Sequence, residues 1–271
     1  MSFEPITLAA HNPGPMTGPG NNTYLLVGPD RDAALVDAGV GEPRHLAAID
    51  RHLDERGARL VRVFVTHGHA DHASGAPALA AAHSGTSFHK YPSPADDLRY
   101  SVSWHPISDG DVLSAGGESL LALHTPGHSP DHLVFWHESS GTAFTGDLII
   151  PGGSVMIDGS GGGDLSSYLL ALERVLALRP RTLLPAHGPE VHNPAAVLNA
   201  HLEHRRMRER QVIASVAAGR DTVQTIVESI YDGLDPALGS AAGQNVAAHL
   251  EKLKREGRAI EENARWKLCK P

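Results

Sequence analysis

Short apolar runs rich in β-branched residues alternate, over the first two thirds of the chain, with segments whose apolar positions recur at helical spacing. The runs 23–27 and 33–37 flank the turn Gly28-Pro29-Asp30-Arg31-Asp32 and predict a hairpin. Leu46, Ile49 and Leu53 share one face of a predicted helix over 44–56, with Gly57 placed to cap its end. A strand over 60–66 follows, then a helix over 76–83 with Pro77 near its start and Gly85 just past its end. Strands are predicted over 119–124, 132–136 and 142–145, a helix over 165–178 and a last short strand over 182–184. Interleaved helices and strands that turn back on themselves predict a layered α/β sandwich.

The pattern changes near Asn193-Pro194. Helical periodicity then covers 195–217, 223–231 and 245–256, and two short runs about a polar turn between Ala259 and Leu268 predict a hairpin. Helices closed by a terminal hairpin have the pattern of a winged helix. The 271 residues therefore divide into 1–195 and 196–271, which suits a prior of roughly 150 residues per domain. Charge divides with them. Residues 1–195 carry 11 Lys/Arg against 21 Asp/Glu, and residues 196–271 carry 12 against 10.

Composition narrows the class. At 41% hydrophobic the chain can bury a core, which excludes wholesale disorder. No run reaches the ~20 apolar residues of a membrane span, so no membrane partner is expected. The start, Met1-Ser2-Phe3-Glu4-Pro5, shows no secretory signal. The single cysteine, Cys269, excludes a disulfide scaffold and permits a reducing compartment, so cytoplasm is the expected location. Aromatics at 5% argue against a broad base-stacking platform. Histidine, with 18 copies, is the outlier.

Part of that histidine gathers in Thr66-His67-Gly68-His69-Ala70-Asp71-His72, directly after a predicted strand. Three imidazoles and a carboxylate at a strand end suit borderline metals of the zinc type. A solvated polar loop is the bland alternative. Against it stand His128, after a strand and a Pro-Gly turn, Asp147, ending another strand, and His187, ending a fourth. Each sits beside glycine or proline, where tight turns let side chains reach a common centre.

With these residues in place, the sequence resembles the metallo-β-lactamase fold superfamily over essentially the whole chain. The motif H-x-H-x-D-H and the later His128, Asp147 and His187 occur in that family's order. The resemblance implies a four-layer αβ/βα sandwich with a dinuclear site. His67, His69 and His128 would hold one metal, Asp71, His72 and His187 the other, and Asp147 would bridge. A closer resemblance is to the winged-helix branch called beta-lactamase-like protein 2, through 12–17, Asn22-Thr23-Tyr24, His187-Gly188-Pro189, His204-Arg205 and Trp266. Some members of that branch cleave single-stranded RNA. Cysteine-ligand β-lactamases place a thiolate in the second site, and Cys269 lies outside every motif, so β-lactam hydrolysis is not the expected role.

Two divalent ions about 3.5–4 Å apart can share a water and lower its pKa towards ~7. The expected chemistry is attack by a metal-bridging hydroxide on a carbonyl carbon or phosphorus, with Asp71 and Asp147 as the expected catalytic carboxylates. Zinc is the expected metal, with manganese or iron as alternatives. Three functions follow, in this order. The first is a phosphodiesterase or endoribonuclease on single-stranded RNA. The second is a thioester or lactone hydrolase resembling glyoxalase II. The third is a non-catalytic winged-helix binding protein. Association into a homo-oligomer is left open.

Several residues carry two readings each. Asp37 either orients the 67–72 loop or is an ordinary strand-end residue. His192 is either a proton donor or a turn histidine. The segment Gly152–Gly163 is either a lid or a surface loop. Arg205, Arg206, Arg208 and Arg210 either touch phosphates or form a solvated face. His11, His45, His52, His83 and His249 are read as surface or packed residues.

Overall fold

The structure is a computed structural model that describes residues 3–269. Met1 and Ser2, on which part of the amino-terminal reading rests, lie outside the described residues. The first sheet runs in chain order through β1 (Ile6–Ala9), β2 (Asn22–Val27), β3 (Asp32–Val36), β4 (Arg59–Phe64), β5 (Ser87–Lys90) and β6 (Trp104–Pro106). Its first three strands pair antiparallel and the rest parallel. The intervening helices are α1 (Pro43–Asp54), α2 (Ala70–Ala73), α3 (Ala76–Ala82) and α4 (Pro94–Asp97).

The second sheet comprises β7 (Val112–Ala115), β8 (Glu118–His124), β9 (Leu133–His137), β10 (Thr142–Gly146) and β11 (Thr182–Pro185). Helix α5 (Leu165–Ala177) makes the β10-to-β11 crossover, so these two strands are parallel. Four layers follow from the strand period of two. Tyr24, Leu26, Ala34, Val36 and Phe64 face Ala122, Phe135, Phe144 and Leu184 between the sheets. Their neighbours Leu25, Ala33, Leu35 and Val63 turn outward to Ile49, Leu53 and Leu79 of α1 and α3. Val134, Trp136, Ala143 and Leu183 turn outward to Tyr168, Leu172 and Val175 of α5. Strands buried on both faces read as continuous apolar runs, which is why they were legible.

The strands β1, β5, β6 and β7 were not predicted. They are short, and β6 and β7 are mostly exposed or half-buried, so they carry no run of apolar positions. Pairing with neighbours makes them strands.

The carboxy-terminal part is α6 (Pro194–Ala217), α7 (Val223–Ile230), α8 (Gly239–Arg255) and the hairpin β12 (Ala259–Glu262) and β13 (Arg265–Leu268). A small core of Val212, Val216, Ile226, Val246, Leu250, Leu253 and Trp266 holds this winged helix together. Helix α6 is shared: Leu198 and Leu202 lie in the large core with α5, and Val212 and Val216 in the small one. Packing therefore changes hands inside α6. Among the described residues no helix is long and apolar enough to cross a membrane.

Candidate metal centre

One edge of the sandwich gathers the ends of β3, β4, β10 and β11 and the β8–β9 turn, and backbone bonds tie the two sheets there. Leu133 N donates to Thr66 O at 2.7 Å, and Asn22 N to Ala186 O at 2.7 Å. Two glycines let the turns pass. A Cβ on Gly127 (φ 142°) would fall 2.4 Å from the Tyr168 backbone, and one on Gly146 (φ 47°) 2.8 Å from His132 Nε2.

All seven sequence-predicted residues meet at this edge. Three trios, His67–His69–His128, His67–His72–Asp147 and Asp71–His72–His187, each bring their donor atoms within 4.8 Å of one another. In the first, His69 Nδ1 lies 2.9 Å from His67 Nε2 and 3.0 Å from His128 Nε2. On the other side, His187 Nε2 lies 3.3 Å from Asp71 Oδ2. Asp147 stands between. Its Oδ2 is 3.4 Å from His128 Nε2 and 4.0 Å from His67 Nε2, and its Oδ1 is 3.3 Å from both His72 Nε2 and His187 Nε2. Each carboxylate oxygen thus serves a different group of imidazoles.

The surroundings fix which nitrogens face inward. His72 Nδ1 donates to Asp37 Oδ2 at 2.8 Å, and His128 Nδ1 donates to the Met156 carbonyl at 2.8 Å. In the neutral ring that a metal ligand requires, each bond leaves Nε2 as the lone-pair atom. Asp37 is 2% exposed and also accepts from Thr66 N at 2.8 Å and from Thr66 Oγ1. Of its two readings, the orienting one describes the structure. Its φ of 64° is left-handed, a conformation Asp tolerates better than most residues.

Protonation follows the same geometry. Burial, then the neighbouring His72, His69 and His128 rings, push His67 well below the ordinary histidine range. Burial and His128 push His69 down to about 4. Burial disfavours charge on His72 too, but Asp37, Asp147 and Asp71 outweigh it and hold its pKa well above the usual value. The same attraction, chiefly from His72, overrides burial at Asp71 and Asp147 and holds both carboxyls below their usual range.

Several supporting residues had not been singled out. His132 Nε2 accepts from Asp147 N at 3.1 Å while its Nδ1 bonds Thr125 Oγ1 at 2.9 Å, so it holds the bridging aspartate's backbone. Asp131 Oδ2 accepts from Gly68 N at 2.9 Å and pairs with the buried Lys90 at 3.0 Å. Tyr100 donates to Gly68 O at 3.1 Å, and Asn21 Nδ2 to Asp71 O at 2.7 Å. Asp131 and His132, between the His128 turn and β9, carried a signal: polar residues at the mouth of a buried strand. Lys90 carried none, because burial of a lysine is a tertiary fact.

Other candidates stand apart. His192 is on the surface, 3.8 Å from Glu190. The segment Gly152–Gly163 is not a free flap, since Val155 and Ile157 are buried in the large core. The four arginines do not form one face. Arg205 is buried, Arg206 pairs with Glu203, Arg208 lies over the Tyr231 ring, and Arg210 is exposed.

Fold and site together define a metallohydrolase of the two-sheet sandwich type. The chain belongs to the metallo-beta-lactamase superfamily, matched over residues 16–187, and residues 222–266 match the beta-lactamase associated winged helix domain. Members of this superfamily are in general metal-dependent hydrolases, and this chain is an enzyme of that class, with His/Asp groups suited to binding metal. The lactamase-like protein aptB of Emericella nidulans is 31% identical over 261 residues, covering 93% of this chain and 81% of that protein. The beta-lactamase-like protein 2 homolog of Drosophila melanogaster is 29% identical over 265 residues, covering 93% and 88%. A beta-lactamase domain protein from Burkholderia ambifaria shares the fold at a TM-score of 0.82 and 21% identity, covering 98% of this chain and 91% of that one. TTHA1623 in a di-iron-bound form aligns with a TM-score of 0.55 and 27% identity over 74% of this chain and 97% of its own.

Proposed function

We propose that this chain is a dinuclear metal-dependent hydrolase whose substrate is a small, uncharged thioester or lactone. The division of Asp147, one oxygen towards His67 and His128 and the other towards His72 and His187, carries the dinuclear part. The donor set fits two divalent cations. His72 Nε2 and Asp147 Oδ1 are buried and make no hydrogen bond of good geometry, which is costly without another partner. Asp37, Asp71 and Asp147 also surround His72 with negative charge. His67, His69 and His128 would hold one ion, Asp71, His72 and His187 the second, with Asp147 shared. Zinc suits this mixture of imidazole and carboxylate, and the di-iron form of TTHA1623 supports iron as an alternative.

Two divalent ions bound there would supply Lewis acidity and acidify a water at neutral pH. The chain's own residues prepare the site for that chemistry. Asp37 holds His72, and the Met156 carbonyl holds His128, each in the tautomer that presents Nε2. His132 fixes the Asp147 backbone, and Asp131 with Tyr100 fixes Gly68 between the two histidines. Rigid placement of this kind limits reorganisation in the transition state.

Charge supports a neutral acyl substrate over RNA. Phosphate backbones are bound chiefly by free Lys and Arg, whereas residues 1–195 carry ten more acidic than basic residues. Basic side chains that reach the loops around the cluster are engaged. Lys90 pairs with Asp131 and Asp97, Arg99 with Asp96, and Arg255 with Asp164. Helix α8, in the position of a winged helix's reading helix, is docked instead, with Ala248 in the large core. The RNA reading retains the winged helix and the exposed Arg210 in its favour.

One experiment separates them. The purified protein with added zinc or manganese is offered a thioester and lactone panel and an end-labelled single-stranded RNA, with chelator and His69→Ala controls. Acyl hydrolysis lost in both controls supports the reading. RNA cleavage lost in both, with no acyl turnover, overturns the substrate assignment. Fewer than two metal ions per chain overturns the dinuclear one.

A further inference from the structure

The peptide groups of residues 155–157 are gripped from three directions. The Met156 carbonyl accepts from His128 Nδ1 at 2.8 Å. Arg205 Nη2 donates to the Val155 carbonyl, and Ile157 N donates to Asn245 Oδ1 at 3.3 Å. Arg205 Nη1 donates to the same Asn245 oxygen at 3.0 Å. Arg205 lies on α6 and Asn245 on α8, so helices of the carboxy-terminal part hold the segment on which His128 leans.

Arg205 is 3% exposed, and the partners found for it among the described residues are neutral. Its charge is met by the Val155 carbonyl, the Asn245 amide oxygen and the face of Tyr168, whose ring centroid is 5.2 Å away. Tyr168 in turn packs its backbone against Gly127, next to His128. Burying a guanidinium this way is a poor device for stability alone, since apolar residues of similar volume often serve as well or better. Its fixed fork of donors is suited to holding two acceptors at set positions.

We propose that Arg205 and Asn245 are positioning residues for the metal centre. By fixing residues 155–157 they place the Met156 carbonyl where it holds His128 in its Nδ1–H tautomer, with Nε2 directed at His69 and Asp147. The proposal rests on the metal reading of the cluster. It makes the winged helix part of the site's framework, a role that needs no contact between that domain and substrate.

Two readouts test it. In metal-free protein at about pH 8, above the ordinary histidine range, long-range ¹H–¹⁵N spectra report the imidazole tautomers. Wild type is expected to show His128 as Nδ1–H, and Asn245→Ala and Arg205→Met to show mixed tautomers. Asn245→Asp keeps the acceptor oxygen and is expected to restore the wild-type signal. Competition against a chromogenic chelator then measures both metal equivalents. One is expected to weaken about 10- to 100-fold, as when other outer partners of metal ligands are lost, and the other to stay unchanged. Arg205→Met risks the fold, so the half-buried Asn245→Ala decides. A folded Asn245→Ala protein with wild-type tautomer and wild-type binding of both equivalents overturns the proposal. Wild type binding fewer than two ions overturns the dinuclear reading instead, and the metal-free tautomer comparison still decides the positioning role.

Discussion

Replacing Asp37 with Asn changes little in volume and one feature of chemistry. The carboxylate accepts from Thr66 N, Thr66 Oγ1 and His72 Nδ1. Asn tolerates the left-handed φ of 64° and keeps one acceptor oxygen for Thr66. Its amide group then faces His72 Nδ1, donor against donor. Relief comes when His72 moves its proton to Nε2, which removes the lone pair aimed at Asp147 and Asp71. Loss of an outer partner of a metal-ligating histidine typically weakens binding 10- to 100-fold, or about 1.4–2.7 kcal/mol. The loss should fall chiefly on the Asp71–His72–His187 side, since Asp37 bonds His72 directly and reaches His67 only through Thr66 Oγ1. Losing a charge-assisted bond also costs stability, about 1.5–3 kcal/mol. The assay is stepwise metal competition on wild-type and Asp37→Asn proteins, with far-UV circular dichroism to check the fold. Two equivalents binding with wild-type affinity in a folded variant would refute the reasoning, and equal weakening of both would show that Asp37 acts on the cluster as a whole.

Three further outcomes are expected. His69→Ala and Asp147→Ala should each abolish turnover while leaving the fold recognisable by circular dichroism, and full activity in either variant would sink the site reading. Gly127→Ala drives a Cβ to 2.4 Å from the Tyr168 backbone at a φ few L-residues adopt, so unfolding should become easier by on the order of 3 kcal/mol. A Tm within a degree of wild type would show that the turn has room to move. His249 is 2% exposed, and burial followed by Arg205, Lys252, His204 and Arg208 pushes its pKa down to about 3. The unfolded chain therefore takes up the proton first, so stability is intact above about pH 6.5 and is lost progressively as pH falls towards 3. Denaturant unfolding across that range should fall less steeply for His249→Leu than for wild type, and parallel curves would contradict the assignment.

Much of the fold was legible because strands buried on both faces are apolar throughout, and amphipathic helices such as α1 and α5 repeat at 3.6 residues. The exposed strands β6 and β7 carried no such pattern, since their pairing partners supply the order that their side chains do not. Within the site, His67, His69, Asp71 and His72 stood out because one motif packs them into six residues after a strand, and His128, Asp147 and His187 because each follows a strand beside glycine. Asp131 and His132 carried only the signal of polar residues at the mouth of a buried strand, which does not say what they face, and Lys90 carried none.

By itself, the sequence determined the identity of the donor atoms and the order in which the chain delivers them, because residue type fixes what a side chain can coordinate. Only the tertiary structure decided how those donors divide. The two oxygens of Asp147 turn to different imidazoles, His72 is oriented by a carboxylate 35 residues earlier, and His128 leans on the Met156 carbonyl, whose flanking peptide groups bond to α6 and α8. These relations depend on distances between segments remote in sequence, which packing of the two sheets and α6 sets and no local pattern encodes.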